Sequence, residues 1–584
     1  MEQNRNCYLI DKALRHFLIA SVLTSAATQL AVMVDAIIVS HIVGPDALSA
    51  VNVSSPVITI VVALSLLLGS GASVLAAKYI GNQQMQSVSH VFTVAICSVT
   101  VVSLVLAVIL GFSTDWIVSL ICSNEQIAPY VSSYLSFFLV AGPVPLFLSY
   151  TLNAFVQSDG KPHLVTYAVI AGGVTNVVLD LLLVGPMGIK GAAIATVSNY
   201  VVSIGFVLFH FMSPSSSYHW RWPKGIVGKV LGENVAEGMP MMIGNLMLGV
   251  IVMVINILVM NALGAKGMYA WSVCLQVLLL SVVLLNGVGN ALLSIGGMLV
   301  GEQDYSGLGL LTRRALGIVC AILLLFVVFV MVTPSTLAKL FGADTPEHVA
   351  YLSDVLRIFS LVLIPFALTM LMRSLFQILE YRMLSTLLAV GQLLIMVFVV
   401  WMFSIWWPQQ LWWAFPLSAF LLITAQLATT FIIHLSHKEA SPLTLIPADE
   451  SGRSMDLSCN YKMQDLEIAM AAVRQFLEDN KLDNSLQMYA HICCEELMKN
   501  IVEHSKGRVK KHSFDMHLRI MDEVIYLVVK DAGQPFNPVK YIENPMSGYD
   551  HLGLKLVAGI TPSITYKYMY GQNILFAKIE KLND

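Results

Sequence analysis

Long apolar runs fill roughly the first three quarters of the chain and stop near residue 440. A membrane-spanning helix needs about 20 mostly apolar residues, and twelve runs between polar or Gly/Pro breaks reach that length. The predicted spans lie near residues 14–43, 47–77, 88–112, 126–157, 163–185, 190–212, 229–262, 268–299, 312–334, 347–379, 383–406 and 411–435. The pattern predicts a mainly α-helical membrane protein of twelve transmembrane helices in a lipid bilayer, followed by a polar tail.

The predicted spans contain an internal repeat with an offset of 220 residues. Under this shift, identical residues coincide at Val39/Val259, Gly44/Gly264, Ala50/Ala270, Gly69/Gly289, Gly81/Gly301, Gln83/Gln303 and Gln157/Gln377. One offset serves from the first span to the fifth, so the pattern predicts two pseudo-symmetric six-helix lobes, residues 1–220 and 221–437. Because each half has an even number of spans, the repeats are parallel, and we expect a substrate cavity between them.

Acidic residues inside the apolar runs are the first candidates for function. Asp180 lies in the fifth span with Asn176 one helical turn before it, and Asp35 lies in the first span. A carboxylate near the centre of a bilayer costs at least about 2.5 kcal/mol, so such residues are rare and usually functional. At the 220-residue offset, the partners of these three residues are Val400, Met396 and Ile255. The asymmetry favours a single ion site in the first lobe over a symmetric structural role.

A carboxyl group held away from water favours its neutral form, so it can take up a proton on one side of the membrane and release it on the other. It can also exchange that proton for Na⁺, which requires several oxygen ligands. The carboxylates of Asp35 and Asp180, the amide of Asn176 and the hydroxyl of Thr196 could supply them. The structural alternatives are that Asp35 ends its span near the interface, and that Thr196 bonds its own backbone. The run stays apolar through Ile42, which favours a functional Asp35.

Two stretches of the apolar region resemble signatures of the MATE (multidrug and toxin extrusion) family of antiporters. Val34-Asp35-Ala-Ile-Ile-Val followed by Gly44-Pro-Asp-Ala-Leu-Ser-Ala50 is similar to the first-span signature. Asn176-x-x-x-Asp180 followed by Gly191-Ala-Ala-Ile-Ala-Thr196 is similar to the fifth and sixth spans. The resemblance covers roughly residues 10–435. It implies H⁺- or Na⁺-driven export, often of small organic cations, with the coupling site on Asp35, Asn176, Asp180 and Thr196.

The charged residues indicate both the class of protein and its orientation in the membrane. Only 12% of the residues are charged, against about 25% in soluble proteins, and no basic patch indicates nucleic acid as a partner. Lys and Arg concentrate at the loops and span ends on one side, which is predicted to be the cytoplasmic side. The N-terminus and the tail are therefore predicted to be cytoplasmic, in a plasma (inner) membrane, where ATP is present.

The tail is predicted to be a separate α/β domain. Residues 438–455 have the Pro, Ser and charge mixture of a linker, and residues 456–584 form the domain. Two amphipathic helices are predicted near 463–480 and 485–505. Strands are predicted over 512–521 and 524–531, a short helix follows residue 550, and a closing hairpin folds about Gly571-Gln572.

Three short patterns in the tail could bind a ligand. Glu496 and Asn500 lie one helical turn apart, which suits an amide on Mg²⁺ and a carboxylate that deprotonates a hydroxyl. Asp531-Ala-Gly533 presents an acid at the end of a strand. Gly553 opens a helix whose N-terminus could hold phosphate. Each pattern alone is also common in ordinary helices and turns.

Taken together, these patterns resemble the GHKL ATPase superfamily, most closely its small serine-kinase branch typified by anti-sigma-factor kinases. Glu496-x-x-x-Asn500-x-x-x-His504 is similar to the N-box, Asp531-x-Gly533 to the first glycine box, and His551-Leu-Gly553 to the second. The resemblance implies a Bergerat-type α/β sandwich that binds ATP and Mg²⁺. Asp531 would read the adenine amino group, Asn500 would hold the metal, and Glu496 is the candidate catalytic base. Residues 539–552 lack the glycine-rich lid, so a domain used only for docking is an alternative.

The leading hypothesis is a secondary antiporter for xenobiotics whose ATP-binding tail regulates it or phosphorylates a serine-containing regulatory protein. The sequence contains no Walker motif, so an ATP-driven pump of the ABC type is not predicted. Kinase and ATPase activity of the tail both stay open. One alternative is a membrane signalling protein whose kinase-like tail phosphorylates a partner. Another is a lipid-linked-sugar flippase, which would need basic residues in its cavity, and none appears deep in the predicted spans.

Overall fold

The computed structural model describes residues 6–122, 126–214, 216–223, 225–341, 345–436, 438–448, 453–504, 513–521, 523–539, 552–561 and 563–581. The helices of the membrane region are α1 (Tyr8–Ile42), α2 (Pro45–Gly81), α3 (Met85–Phe112), α4 (Thr114–Ile121), α5 (Ala128–Ala141), α6 (Pro143–Ser158), α7 (Pro162–Met187), α8 (Ile189–Phe211), α9 (Val227–Ala291), α10 (Gly297–Glu302), α11 (Tyr305–Val332), α12 (Pro334–Leu340), α13 (Pro346–Ser360), α14 (Leu363–Ile378), α15 (Arg382–Trp406) and α16 (Ala414–Ser436). Helix α9 is broken by a kink at Gly264, where φ is 61°, so it consists of two membrane-crossing segments. A π-helical turn, Leu292–Gly296, joins α9 to α10, and a 3₁₀ turn, Pro408–Trp413, precedes α16.

Within the described residues, eleven helical segments are long and apolar enough to cross a membrane. A twelfth arises if α5 and α6, bent by 57° at their junction, count as one span. The sequence predicts a single span over 126–157, and the bend is a correction to it. Pro143 is the first residue of α6; it has no backbone N–H and its ring obstructs the preceding turn, so the helix restarts there.

The 220-residue repeat is present in the backbone. Helix α11 begins and ends 220 residues after α3, and α14 does the same relative to α6. Gln83 and Gln303 occupy equivalent turns with φ of 59° and 57°, a left-handed conformation uncommon for residues with a side chain. The two lobes therefore share turn geometry as well as helix length.

The lobes meet closely at one end of the bundle, which we call the tail side because the tail packs there. Gly81 of α2 lies against the Met298 carbonyl, and Gly301 of α10 lies against the Lys78 carbonyl. A Cβ atom at either glycine would collide with the facing backbone. These two glycines are repeat mates, so the contact is itself pseudo-symmetric.

In its described residues, the tail forms a five-stranded antiparallel sheet with three helices. Its elements are β1 (Ser454–Asn460), α17 (Met463–Asp479), α18 (Asn484–His504), β2 (Ser513–Met521), β3 (Val524–Asp531), α19 (Leu552–Ile560), β4 (Ser563–Met569) and β5 (Gln572–Ile579). The strand order is β1-β2-β3-β5-β4. Tyr570 and Gly571, at φ 54° and 74°, form the two-residue turn of the β4–β5 hairpin, as type I′ turns require. Strand β1 is absent from the sequence prediction, which places a linker over its first residues.

The two faces of the sheet are both buried, but against different parts of the protein. Side chains alternate between faces along a strand. Leu518, Leu527 and Ala577 belong to the core shared with α17, α18 and α19. Val528 and Phe576 belong instead to the buried cluster of the membrane region. The sheet is thus a middle layer between its own helices and the membrane helices.

The predicted linker is also packed against the membrane region. Leu445 and Ile446 are 0% and 8% exposed and join the membrane-region cluster. The Ser441 N–H donates to the Ile446 carbonyl at 2.8 Å, which closes a tight loop. These two apolar side chains thus anchor a segment whose composition is typical of a linker.

Candidate functional site

The first candidate site lies between α1 and α7. The carboxyl groups of Asp35 and Asp180 are within hydrogen-bonding reach of each other. Asp180 is 0% exposed, and among the described residues no donor reaches either of its carboxylate oxygens. Two carboxylates in contact and without donors repel each other strongly. The site is therefore chemically incomplete without an additional proton or cation.

Helix periodicity places Asn176 beside this pair. Gly172, Asn176, Asp180 and Val184 are spaced by four residues and are all buried, so they form one face of α7. Asn176 is 5% exposed. Its amide thus lies one turn from the Asp180 carboxyl group, as the sequence predicts.

Helix α8 contributes Thr196 through its contact with a tyrosine that sequence reasoning missed. The hydroxyl groups of Thr196 and Tyr134 are hydrogen-bonded, and Tyr134 lies close enough to feel the charges of Asp35 and Asp180. Tyr134, on α5, is 3% exposed. A tyrosine in an apolar span is a signal, because its hydroxyl needs a polar partner when buried. The structure thus groups oxygens from α1, α5, α7 and α8.

The equivalent positions in the second lobe are apolar and well packed. Ile255 and Val400 are 0% exposed, Met396 is 8% exposed, and all three belong to one hydrophobic cluster. The same backbone framework therefore surrounds a polar site in one lobe and a hydrophobic core in the other.

A second buried charged group joins the two lobes on the tail side. Lys78 of α2 and Arg382 of α15 each place a nitrogen 2.7 Å from Oε1 of Glu237 on α9. Glu237 is 0% exposed, and its carbonyl accepts from Gln377 at 2.6 Å. Glu237 lies near the end of a predicted span, so its position alone does not mark it as a buried acid. No local pattern identifies the pair, since Lys78 and Glu237 are far apart in sequence.

The second candidate site is a cavity of the tail between the sheet and α18. Among the predicted residues, Asn500 and Asp531 line it. Its other lining residues are Leu497, Ile501, Val529, Phe536, Pro538, Leu554, Tyr566, Asn573 and Leu575. Apolar walls with one carboxylate, two amides and a tyrosine hydroxyl suit a flat, partly apolar ring that carries an amino group.

Asp531 is held by a network that includes an unpredicted residue, Asn573. The Asp531 carboxylate accepts from the Gly533 N–H at 2.7 Å and from the Asn573 amide at 3.0 Å. Asn573 in turn accepts from the Tyr566 hydroxyl at 2.6 Å. Burial raises the pKa of Asp531, although both hydrogen bonds and the nearby Lys12 ammonium act in the opposite direction. Asn573 lies on β5, directly opposite Asp531, so only strand pairing brings the two together.

Glu496 lies at the opening of α19. Its carboxylate rests against Gly553, leaving no space for a Cβ atom there. The N-terminus of a helix favours negative charge, so the carboxylate takes the position that the sequence analysis assigns to phosphate. His551 and residues 540–550 of the predicted lid lie outside the described residues.

One further group has the spacing of a metal site. Asp304, Asp456 and His517 are buried, with ligand atoms within 4.8 Å of one another. His517 Nδ1 lies 2.8 Å from Asp456, and Asp304 accepts from the Gly307 N–H at 2.8 Å as the N-cap of α11. Cross-strand pairing and helix capping account for these placements, so the group does not require a metal.

Comparison with protein families gives two matches to one family model, MatE. The matches cover residues 20–182 and 240–402, together more than half of the chain. Their starting points are 220 residues apart, so the predicted internal repeat is confirmed.

Individual relatives match over part of their length. The multidrug export protein MepA of Staphylococcus haemolyticus (strain JCSC1435) is 24% identical over 203 residues, which are 34% of this chain and 45% of that protein. MepA of Staphylococcus aureus (strain MRSA252) is 20% identical over 243 residues, 41% of this chain and 54% of that protein. The chain thus spans about half the length of these curated relatives.

Solved structures match over nearly the whole membrane region. One is described as the outward-facing conformation of a multidrug resistance MATE family transporter of the MOP superfamily. It is 22% identical with a TM-score of 0.64, covering 73% of this chain and 97% of that one. A MATE in complex with MaL6 is 20% identical with a TM-score of 0.66, covering 71% and 94%. At these identities the likeness shows the fold.

Proposed function

Since this chain belongs to the MatE family, we propose that it is a secondary active efflux antiporter that exchanges H⁺ or Na⁺ for small organic, cationic xenobiotics. The proposal places the protein in the plasma membrane with its tail in the cytoplasm. The observation that carries it is the contact between the carboxyl groups of Asp35 and Asp180, buried in one lobe only. The multidrug export function named for MepA supports the substrate class.

The acid pair explains how a small cation could drive the cycle. Two carboxylates in contact need a compensating positive charge, which a proton shared between Asp35 and Asp180 supplies. Na⁺ would instead use oxygens from both acids, Asn176 and Thr196, since hard cations prefer several oxygen ligands. Loss of the cation restores the repulsion, so the arrangement of α1 and α7 depends on occupancy. An ion gradient can then bias which side of the membrane the cavity faces.

The test is export of a fluorescent organic cation from vesicles, with pH and Na⁺ gradients imposed separately. Asp180→Asn and Asp35→Asn are expected to abolish gradient-driven export. The matched control is Asp354→Asn, an acid on α13 whose pair with Arg357 is largely exposed. Gradient-driven export that survives in both site variants would contradict the proposal.

For the tail, we propose a GHKL-type fold that binds ATP with Mg²⁺. Asp531 would accept from the adenine amino group, Asn500 would hold Mg²⁺, and Gly533 would allow the close approach of backbone to ligand. Phosphate would reach Gly553 after the Glu496 carboxylate moves away from it. Glu496 is the candidate base for ATP hydrolysis or for phosphorylation of a serine-containing protein. The apolar cavity walls and the hydrogen-bonded Asp531 carboxylate support this assignment.

The corresponding test is equilibrium binding of a fluorescent ATP analogue to the full chain, with and without Mg²⁺. Asp531→Asn is expected to weaken binding at least tenfold, because a good polar contact contributes about 1.4 kcal/mol or more. Asn500→Ala should remove the effect of Mg²⁺. Asp483→Asn is the control, since Asp483 makes an exposed pair with Lys581. Equal binding by all variants would remove the nucleotide assignment.

A separate signalling role for the tail is the second candidate. Lys12 of α1 donates to the Ala532 carbonyl at 2.9 Å, next to Asp531, so the membrane region touches the proposed nucleotide site. If Glu496→Ala abolishes phosphoryl transfer but leaves ion-driven export unchanged, signalling is favoured. The flippase alternative has less support, because the inter-lobe cations Lys78 and Arg382 are already paired with Glu237.

A further inference from the structure

The tail sheet binds both lobes at once, through a buried polar anchor on each. The N-lobe anchor is the group Asp159, Ser217 and Lys567, in which Ser217 hydrogen-bonds to both Asp159 and Lys567. The C-lobe anchor is the pair Lys530 and Glu302, whose charged atoms lie 2.6 Å apart. The side chains of this pair are 7% and 0% exposed. The sheet therefore bridges the two halves of the repeat.

Further contacts reinforce each anchor. On the N-lobe side, the Tyr570 hydroxyl donates to the Ser158 carbonyl at 3.1 Å, and Gln572 donates to the Leu9 carbonyl. On the C-lobe side, Arg519 donates to the Glu302 carbonyl at 3.2 Å, and Ser306 bonds to Asp456.

Apolar side chains fill the space between the anchors. Val528, Met569, Ile574 and Phe576 of the sheet lie in one buried cluster with residues of both lobes. Reversing this burial costs free energy, because it returns apolar surface to water. The sheet is thus an integral layer of the tail side.

Beneath the sheet lies the contact between the lobes, which we call the tail-side seam. It consists of residues 78–82 of α2 and its end, Glu237, and residues 298–302 of α10. Lys78 and Glu237 form its ion pair at 2.7 Å, and Gly81 lies against the backbone of Met298. Glu302 belongs to both the seam and the C-lobe anchor, so the two contacts share a residue.

We propose that the docked tail is an intramolecular clamp that holds the two lobes together on the tail side. A sheet bound to both lobes fits only one spacing between them, so separating the lobes at the seam requires release of at least one anchor. A bound element shifts a conformational equilibrium by its difference in affinity for the two states. Loss of one buried ion pair corresponds to roughly a hundredfold change in population. Opening of the cavity to the tail side is therefore coupled to undocking.

The test is hydrogen–deuterium exchange of the full chain, which does not depend on transport or on nucleotide binding. Lys530→Glu places a carboxylate against Glu302 and is expected to raise exchange at least about tenfold in segments 76–84 and 297–303. The sheet segments 524–531 and 572–579 should respond in parallel. The charge swap Lys530→Glu with Glu302→Lys should restore protection. Lys581→Glu is the control, because its pair with Asp483 is exposed and remote from the lobes.

Lys567→Glu tests the N-lobe anchor independently and should expose the same seam segments. Retained protection in α17 and α18 will show that each variant still folds. Increased exchange in the sheet with an unchanged seam would overturn the clamp, since the tail would then dock without holding the lobes. Unchanged exchange in both regions would overturn it as well. Loss of protection throughout the bundle in Lys530→Glu, without rescue by the swap, would also contradict it.

Discussion

The two lobes share one backbone plan but differ at the positions that carry charge. Asp180 of the first lobe corresponds to Val400, which is fully buried in an apolar cluster. The seam shows the same contrast, because Lys78 corresponds to Met298 and Glu237 to Phe17, both of them buried apolar residues. The apolar mate is what packing alone favours at each position. A lobe that has a charged residue at such a position pays the cost of burying that charge, which indicates a role in function or in conformational control.

The largest effect on stability is expected at the seam. Glu237→Gln removes the closest ion-pair partner of Lys78 and the partner of Arg382, and leaves Lys78 with Glu380 at 3.5 Å. Breaking a buried ion pair from one side costs about 3–5 kcal/mol. Thermal unfolding of the purified protein should show a large fall in midpoint. Glu233→Gln is the matched control one helical turn away, where the carboxylate accepts from the Tyr79 hydroxyl at 3.1 Å and makes no ion pair with the residues that the structure describes. A similar fall in both variants would mean that the ion pairs contribute little.

The next largest effect is expected when an acid of the first lobe is introduced at the equivalent position of the second lobe. Val400→Asp places a carboxyl group in a site whose facing residue, Ile255, is apolar, at an expected cost of about 3 kcal/mol. The double variant Val400→Asp with Ile255→Asn supplies a polar neighbour and should recover part of it. Unfolding in detergent measures both. Tolerance of Val400→Asp alone would show that the second lobe has room for an acid, and the contrast between lobes would lose its physical basis.

The pH dependence of stability is expected to be a smaller effect than these substitutions, and it has opposite signs at the two anchors. Burial alone would lower the pKa of His517, but its hydrogen bond to Asp456 and the charges of Asp304, Asp456 and Glu302 raise it above its usual value. A raised pKa gives stabilisation that is complete at low pH and is lost as pH rises through it. Lys530 and Arg519 both contact Glu302, so a charged His517 brings the neighbouring cations to three and balances the three acids.

At the N-lobe anchor the sign is reversed. Burial alone would raise the pKa of Asp159, but hydrogen bonds from His210 and Ser217 and the charge of Lys567 lower it below its usual value. That stabilisation is lost only as pH falls through the lowered pKa. Relative to the intrinsic exchange rate at each pH, raising the pH should therefore increase hydrogen exchange near Glu302 and leave exchange near Asp159 unchanged. His517→Gln should remove the alkaline response, and its persistence in that variant would exclude His517 as the source.

The smallest effect on stability is expected at the acid pair. Among the described residues no other donor reaches the Asp180 carboxylate, so Asp180→Asn removes the repulsion between two acids, and the new amide can donate to Asp35 in place of the shared proton. Its unfolding midpoint should equal or exceed that of the parent, although gradient-driven export is lost. Such a combination is typical of a site where stability is given up for function. A destabilised Asp180→Asn would instead indicate a structural role.

Local pattern was enough to predict most elements of this protein. Helix length in a bilayer and the 220-residue offset predicted the spans of both lobes, because each span must satisfy its backbone within itself. The same logic located α17 and α18 from their amphipathic spacing and β3 from alternation. It failed at the bend before Pro143 and at β1, which pairs with β2 across a long sequence separation. Isolated strands carry too little local information for such pairing to be read.

The sequence by itself determined which residues were unusual for their surroundings: Asp35, Asp180, and the Glu496, Asn500 and Asp531 patterns of the tail. Only the tertiary structure decided which groups meet, namely Tyr134 with Thr196, Asn573 with Asp531, and Lys78 with Glu237. It also decided that both lobes cover the second face of the tail sheet. The strand sequences do not reveal this burial, because polar residues such as Lys530 and His517 lie on that face. The physical reason is that a charge out of place is costly wherever the chain folds, whereas its partner is chosen by packing between segments distant in sequence.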